Sequence, residues 1–186
     1  MPKWVMIDDG WQSVDSYDKF GKLYDIYGND EKFPKQLKHT VAELAKIGIR
    51  RVGVWHALWG YWGGIDPSGP LAARYNVQKY HRKESLIAKH DSDVWLISAK
   101  DVSRFYDEFY AWLYSQGISF VKVDYQSAFE TLAEYASASD IDSSSNDGDS
   151  AAADLYSAYY NAMESAAGKY FGAGIYPRLP ATVARS

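Results

Sequence analysis

The sequence predicts an α/β fold built on a parallel sheet. Three observations predict it. Apolar runs mark three strands, at residues 3–7, 49–55 and 118–124, and the first shows no clear alternation, as suits a strand buried on both faces of a parallel sheet. Amphipathic helical patterns fill the gaps between them, and Gly48 and Gly117 close two of these patterns. The order strand, helix, glycine, strand then repeats, as right-handed βαβ units require.

The first strand, at residues 3–7, stops at Asp8-Asp9-Gly10. Residues 19–35 are polar and rich in Gly, Asn and Asp, and read as loop. Pro34 opens a helix running to about Lys46, with Leu37, Val41, Leu44 and Ala45 on one face. After the second strand, residues 57–94 form a long irregular segment. Its first half is aromatic and Gly-rich, as a binding loop would be, and its second half, residues 74–93, is expected to hold a small hairpin. Ser98 and Asp101 have the spacing of a capping box for the next helix, whose buried face carries Val102, Phe105, Phe109, Trp112 and Leu113. The third strand ends at Asp124. Residues 129–135 suggest a short helical piece, and the acidic, Ser-rich residues 137–150 a mobile loop. A helix follows at residues 151–167, with Leu155, Tyr159, Ala162 and Ala166 on one face, and a fourth strand is expected at residues 170–176.

A chain of 186 residues suffices for a real core but not for a complete (β/α)8 barrel, which takes about 250 residues. Net charge is −4 with no basic block, which argues against a nucleic-acid partner. Without cysteine there is no thiolate chemistry, disulfide or Cys-ligated zinc. No run approaches the ~20 apolar residues of a membrane span and no signal peptide is evident, so the expected location is cytoplasmic. Aromatic residues make up 16% of the chain, which fits either sugar stacking or a large aromatic core.

The chemistry gathers where strands end. Side chains alternate along a strand, so Lys122 and Asp124 share one face. A lysine within an apolar strand needs a partner, and Asp124, ~7 Å along the strand, is a candidate through water or substrate. Asp124 itself reads either as a nucleophile or base, or as a carboxylate that neutralises Lys122 or caps the next helix. Asp8 and Asp9 suit a metal, sugar hydroxyls or a simple turn. Trp11, Trp55, Trp59 and Trp62 have the makings of a stacking wall. His56 is a ligand or a structural histidine. A metal-dependent site of Asp8, Asp9, His56 and Asp124 is the remote reading, since His39, His81 and His90 are scattered.

Three segments, residues 4–13 (WVMIDDGWQS), 52–65 (VGVWHALWGYWGGI) and 121–124 (VKVD), together resemble the raffinose synthase, alkaline α-galactosidase and seed imbibition protein group of glycoside hydrolase family 36. The resemblance covers roughly residues 3–172 and is weakest in residues 74–93 and the acidic loop. It implies a (β/α)8 catalytic barrel, of which residues 1–176 would supply three to four βα units, and a retaining double displacement on α-galactosides. By the same resemblance Asp124 is the nucleophile and Lys122 bonds sugar hydroxyls. Asp8 and Asp9 grip the far hydroxyls of galactose, and Trp11, Trp55 and Trp59 wall the pocket. The implied partners are galactose-containing oligosaccharides such as raffinose or galactinol, with no cofactor and no metal.

The second carboxyl group that such a mechanism requires lies, in the family, on a later strand in an Asp-Asp segment after an Arg, and no segment here matches it. The chain is therefore expected to begin at the family's second strand and stop near its fifth, with residues 177–186 a divergent tail. A non-catalytic, sugar-binding remnant is the alternative function. An isolated arc of strands is also expected to associate or stay partly molten, because its edges are open.

Overall fold

In the computed structural model of the chain, the described residues are 3–17, 20–82, 92–129, 132 and 148–172. A three-stranded parallel sheet lies at its centre, in the order β1 (Trp4–Ile7), β4 (Arg51–Ala57), β7 (Phe120–Asp124). The strand between pairs on both sides: Ile7 with Val54, and Val54 with Val121. The β1–β4 crossover contains α1 (Gln36–Lys46), and the β4–β7 crossover contains α3 (Val102–Ser115). The last described helix, α4 (Gly148–Phe171), packs against α3.

In-register neighbours in a sheet project to the same side, so the pairing sorts the side chains into two faces. Val5, Ile7, Val52, Val54, His56, Val121 and Val123 share the face that enters the hydrophobic core. There they meet the aromatic stripe of α3, namely Phe105, Tyr106, Phe109 and Tyr110, all fully buried. Tyr159 of α4 extends this layer, with its ring edge-on to Tyr106 and its hydroxyl donating to the carbonyl of Ile97 at 3.0 Å. The opposite face carries Trp4, Met6, Gly53, Trp55, Phe120, Lys122 and Asp124. Gly53 has no side chain because the ring of Phe120 lies where one would go: a Cβ there would sit 2.2 Å from it. No described helix covers this second face, and Trp4 on it is 49% exposed.

Two antiparallel hairpins flank the sheet. The loop expected at residues 19–35 instead contains β3 (Leu23–Gly28), which pairs with β2 (Gln12–Val14) through register shifts. The shifts break strict alternation, so the buried Leu23 and Ile26 stand three apart, and Asp25 between them is neutralised by Arg74. The hairpin expected within residues 74–93 is present but reaches further, with β5 (Val77–Arg82) paired to β6 (Ser92–Ile97) after a short α2 (Pro70–Arg74). Gly64, at φ +82°, lies against the carbonyl of Trp95 and joins the aromatic loop to β6.

Other expectations are corrected. The Ser98–Asp101 capping box does not form. The cap residue of α3 is Asp101, and its carboxylate accepts the Asn76 amide at 2.8 Å instead, while the Ser98 hydroxyl has no partner. Residues 148–150 belong to α4 rather than to a loop. Tyr170 and Phe171, expected to open a strand, prolong α4 because they pack on α3: the Tyr170 hydroxyl donates to Asp107 at 3.0 Å and the Phe171 ring lies 5.2 Å from Tyr110. A 3-10 turn at Gln126–Phe129 follows β7; the expected helical piece at 129–135 falls mostly, and the acidic loop before 148 and the tail at 177–186 wholly, outside the described residues. No helix among the described residues is long and apolar enough to cross a membrane.

Candidate active site

Parallel strands present their C-terminal ends along one edge, and loops leaving that edge can converge. The loop after β1 supplies Asp8 and Asp9. The loop after β4 supplies Leu58 to Gly64. The end of β7 supplies Lys122, Asp124 and Tyr125.

Asp124 is fixed from three directions. Its carboxylate Oδ1 accepts the Tyr125 amide at 2.7 Å, and its Oδ2 accepts the indole N–H of Trp55 at 3.2 Å. Its own carbonyl accepts the Leu58 amide at 2.9 Å, which seals the ends of β4 and β7 together. The carboxylate nonetheless lies on the open face of the sheet, where the residue is exposed.

Lys122 finds its partner across the sheet rather than along its strand. Its Nζ lies 3.3 Å from Asp8 Oδ2, and the two side chains are 45% and 57% exposed. The expected cost of a buried lysine does not arise, because this face is wet. Such a pair contributes about 0–1 kcal/mol, so its geometry matters more for what it offers a ligand. Asp9 Oδ2 accepts the indole N–H of Trp62 at 2.9 Å. The Trp62 ring stands 4.9 Å from Trp55 and 5.2 Å from Tyr125, and so bridges the β1 loop to the β7 end.

The other tryptophans lie deeper. Trp59 is fully buried, against Tyr125 and Phe129. Trp55 is 1% exposed beneath Trp62. Trp11 does not join the group: it is 1% exposed, stacked on Phe109 and Trp112 of α3, with its N–H donated to the Trp55 carbonyl at 2.7 Å. Gln12 is also buried and donates to the Gly60 carbonyl at 3.1 Å, which holds the aromatic loop from below.

His56 alternates with Trp55 and therefore points to the core. Its Nδ1 donates to the Ala57 carbonyl at 2.9 Å, and its Nε2 accepts the Tyr110 hydroxyl at 2.8 Å. Burial lowers its pKa from 6.5 to about 4, so it is neutral. It cannot join Asp124 around a metal, because Asp124 lies on the other face; among the described residues no three such groups gather.

Sequence reasoning puts Trp62 in a general aromatic wall and misses Tyr125. Tyr125 is 8% exposed and follows Asp124 directly, at φ +62°. Its position next to a strand-end carboxylate is the signal that could have found it.

Carboxylates and an ammonium bond hydroxyls strongly, and aromatic faces cover apolar C–H surface. The arrangement therefore suits a neutral polyol ring held beside one further carboxylate, Asp124. The family described as "Raffinose synthase or seed imbibition protein Sip1" has a sequence model that matches residues 28–175. The chain belongs to this family. The matched range contains Trp55, Trp59, Trp62, Lys122 and Asp124, and begins after Asp8 and Asp9. Among its relatives, the probable galactinol–sucrose galactosyltransferase 6 of Arabidopsis thaliana is 35% identical over 158 residues, which cover 70% of this chain and 21% of that protein. The galactinol–sucrose galactosyltransferase of Pisum sativum is 26% identical over 208 residues, covering 91% of this chain and 24% of that one. An alpha-galactosidase from Lactobacillus brevis has a similar fold, with a TM-score of 0.60 at 13% identity over 93% of this chain and 22% of its own. A GH36 alpha-galactosidase from Geobacillus stearothermophilus, solved in complex with raffinose, gives 0.58 at 17% identity over 91% and 22%. This raffinose synthase family member thus spans about a fifth to a quarter of the length of these proteins.

Proposed function

We propose that the chain carries the nucleophile-bearing arc of a (β/α)8 barrel that processes α-galactosides, by hydrolysis or by galactosyl transfer. The convergence of Asp8, Asp9, Lys122 and Asp124 at the C-terminal ends of the two outer strands, β1 and β7, around the Trp55 and Trp62 rings carries this reading. The strand order, with α1 and α3 in the two crossovers, is the order that consecutive barrel units would give, and supports the reading. The fold likeness to two α-galactosidases supports it.

In this reading the Asp8–Lys122 pair and Asp9 exchange their present contacts for the hydroxyls at the far end of a galactosyl ring. The open side of Trp62 covers the sugar's apolar face. Asp124 lies under the anomeric carbon. One of its oxygens attacks C1, the bond from C1 to the departing oxygen breaks, and that oxygen leaves with the electron pair. The Tyr125 amide and the Trp55 indole hold the carboxylate while positive charge develops on the ring. Water or a sugar hydroxyl then attacks the covalent galactosyl-enzyme, and which of them reaches it decides between hydrolysis and transfer.

An ordinary leaving group needs a proton, and this cluster does not offer one: Asp8 and Asp9 accept from Lys122 and Trp62. That observation favours a second reading, in which the chain alone binds galactosides without turning them over. An activated substrate separates the two. Dinitrophenolate leaves without protonation, so dinitrophenyl α-galactoside should give a burst of about one phenolate per chain, absent in Asp124→Asn. Saturable galactoside binding with no burst would support the second reading.

A further inference from the structure

We propose that Arg82 and Tyr125 form a positioning pair, through which the β5–β6 hairpin aims the Asp124 carboxylate. The inference rests on the reading of Asp124 as the reacting group.

Tyr125 occupies a backbone region that aromatic residues seldom enter, at φ +62°. At the start of this turn its amide donates to Asp124 Oδ1, at 2.7 Å. Something must hold the residue there, and its side chain is held on three sides. Trp59 and Trp62 both stand edge-on to its ring, at 5.2 Å. On the third side its hydroxyl accepts a hydrogen bond from Arg82 Nη1.

Arg82 is an unusual residue to find in that role. It is the last residue of β5, is only 2% exposed, and among the described residues no carboxylate pairs with it. Its Nη2 donates to Ser92 Oγ at 2.8 Å, and its Nε has no partner. A buried guanidinium is costly to keep unless its N–H groups find oxygens. Among the described residues it is committed to neutral oxygens, one on the facing strand β6 and one on the residue after Asp124. A mere core contact could be made by an apolar side chain. A guanidinium adds direction: its planar fork fixes the phenol relative to the hairpin. The hairpin, far from Asp124 in sequence, thereby sets the turn on which the carboxylate's orientation depends.

The test has two readouts. Hydrogen exchange of the Tyr125 amide needs no substrate. Tyr125→Phe keeps the ring between Trp59 and Trp62 and removes only the hydroxyl; Arg82→Met removes the charge. Both should speed exchange of the Tyr125 amide at least about tenfold while the β4 amides stay as in the wild type. Unchanged exchange in Tyr125→Phe, or equal acceleration throughout β4, overturns the pair as a positioning device. Should Arg82→Met fail to fold, Tyr125→Phe decides alone.

The second readout is the burst with dinitrophenyl α-galactoside. Each variant should lower its first-order rate at saturation about tenfold, with the half-saturating concentration within about twofold, because the defect is one of aim rather than binding. The double variant should be no slower than the slower single, as expected of residues acting as one unit. Additive losses, or a change confined to half-saturation, contradict the proposal. A wild type without any burst refutes the nucleophile reading and the catalytic half of this inference, while the exchange result still decides whether the pair orients Asp124.

Discussion

Asp124 owes its orientation to residues around it: an indole from β4, an amide from its own neighbour and a seal to Leu58. In the proposed mechanism Asp124 is the attacking group, so Asp124→Asn should slow phenolate release by about three orders of magnitude or more, leaving no burst, with the fold unchanged by circular dichroism. His56 permits a prediction of a different kind. The folded chain holds it neutral down to about 4, whereas the unfolded chain protonates it near 6.5. Its contribution is therefore complete above 6.5 and is lost as pH falls toward 4, up to about 3 kcal/mol. Denaturant titrations across that window should show the slope, and His56→Leu should flatten it while lowering stability at pH 7. The sequence makes Asp8, Asp9, Lys122 and Asp124 legible because they interrupt apolar runs at strand ends. It does not show that Lys122 faces Asp8, since that contact spans 114 positions, nor that Trp11 belongs to the α3 layer.

At the scale of elements, the parallel strands and α1 and α3 are readable because apolar periodicity and closing glycines agree. The β2–β3 hairpin is not, because its register shifts scramble alternation and its Asp25 is neutralised by a distant Arg74. The Ser98 cap fails for a similar reason: the Asn76 amide, remote in sequence, takes the Asp101 carboxylate. The aromatic loop depends on such tertiary contacts too. Gly64 combines φ +82° with a Trp95 carbonyl 2.2 Å from any added Cβ. The obstacle is backbone and cannot swing aside, so Gly64→Ala should cost about 2 kcal/mol or more, read as a lower denaturant midpoint. Because that loop carries Trp59 and Trp62, the same change should weaken the galactoside binding proposed above.

For the whole molecule, the sheet has one face packed under helices and one face that no described helix covers. Among the described residues β1 and β7 have no further strand beside them, and the open face presents Trp4 along with the charged cluster. Unpaired strand edges next to exposed apolar surface invite other chains. Sedimentation should show association that grows with concentration and is reduced by Trp4→Lys; a dilute monomer with a sharp, cooperative unfolding transition would contradict this. In the proposed reading the sugar lies on the same face. The most direct measurement is therefore peptide mapping of the chain quenched in acid during the dinitrophenyl α-galactoside burst. The account predicts one galactosyl group, on the peptide containing Asp124 and on that side chain. A label on any other residue, or none despite phenolate release, would contradict it.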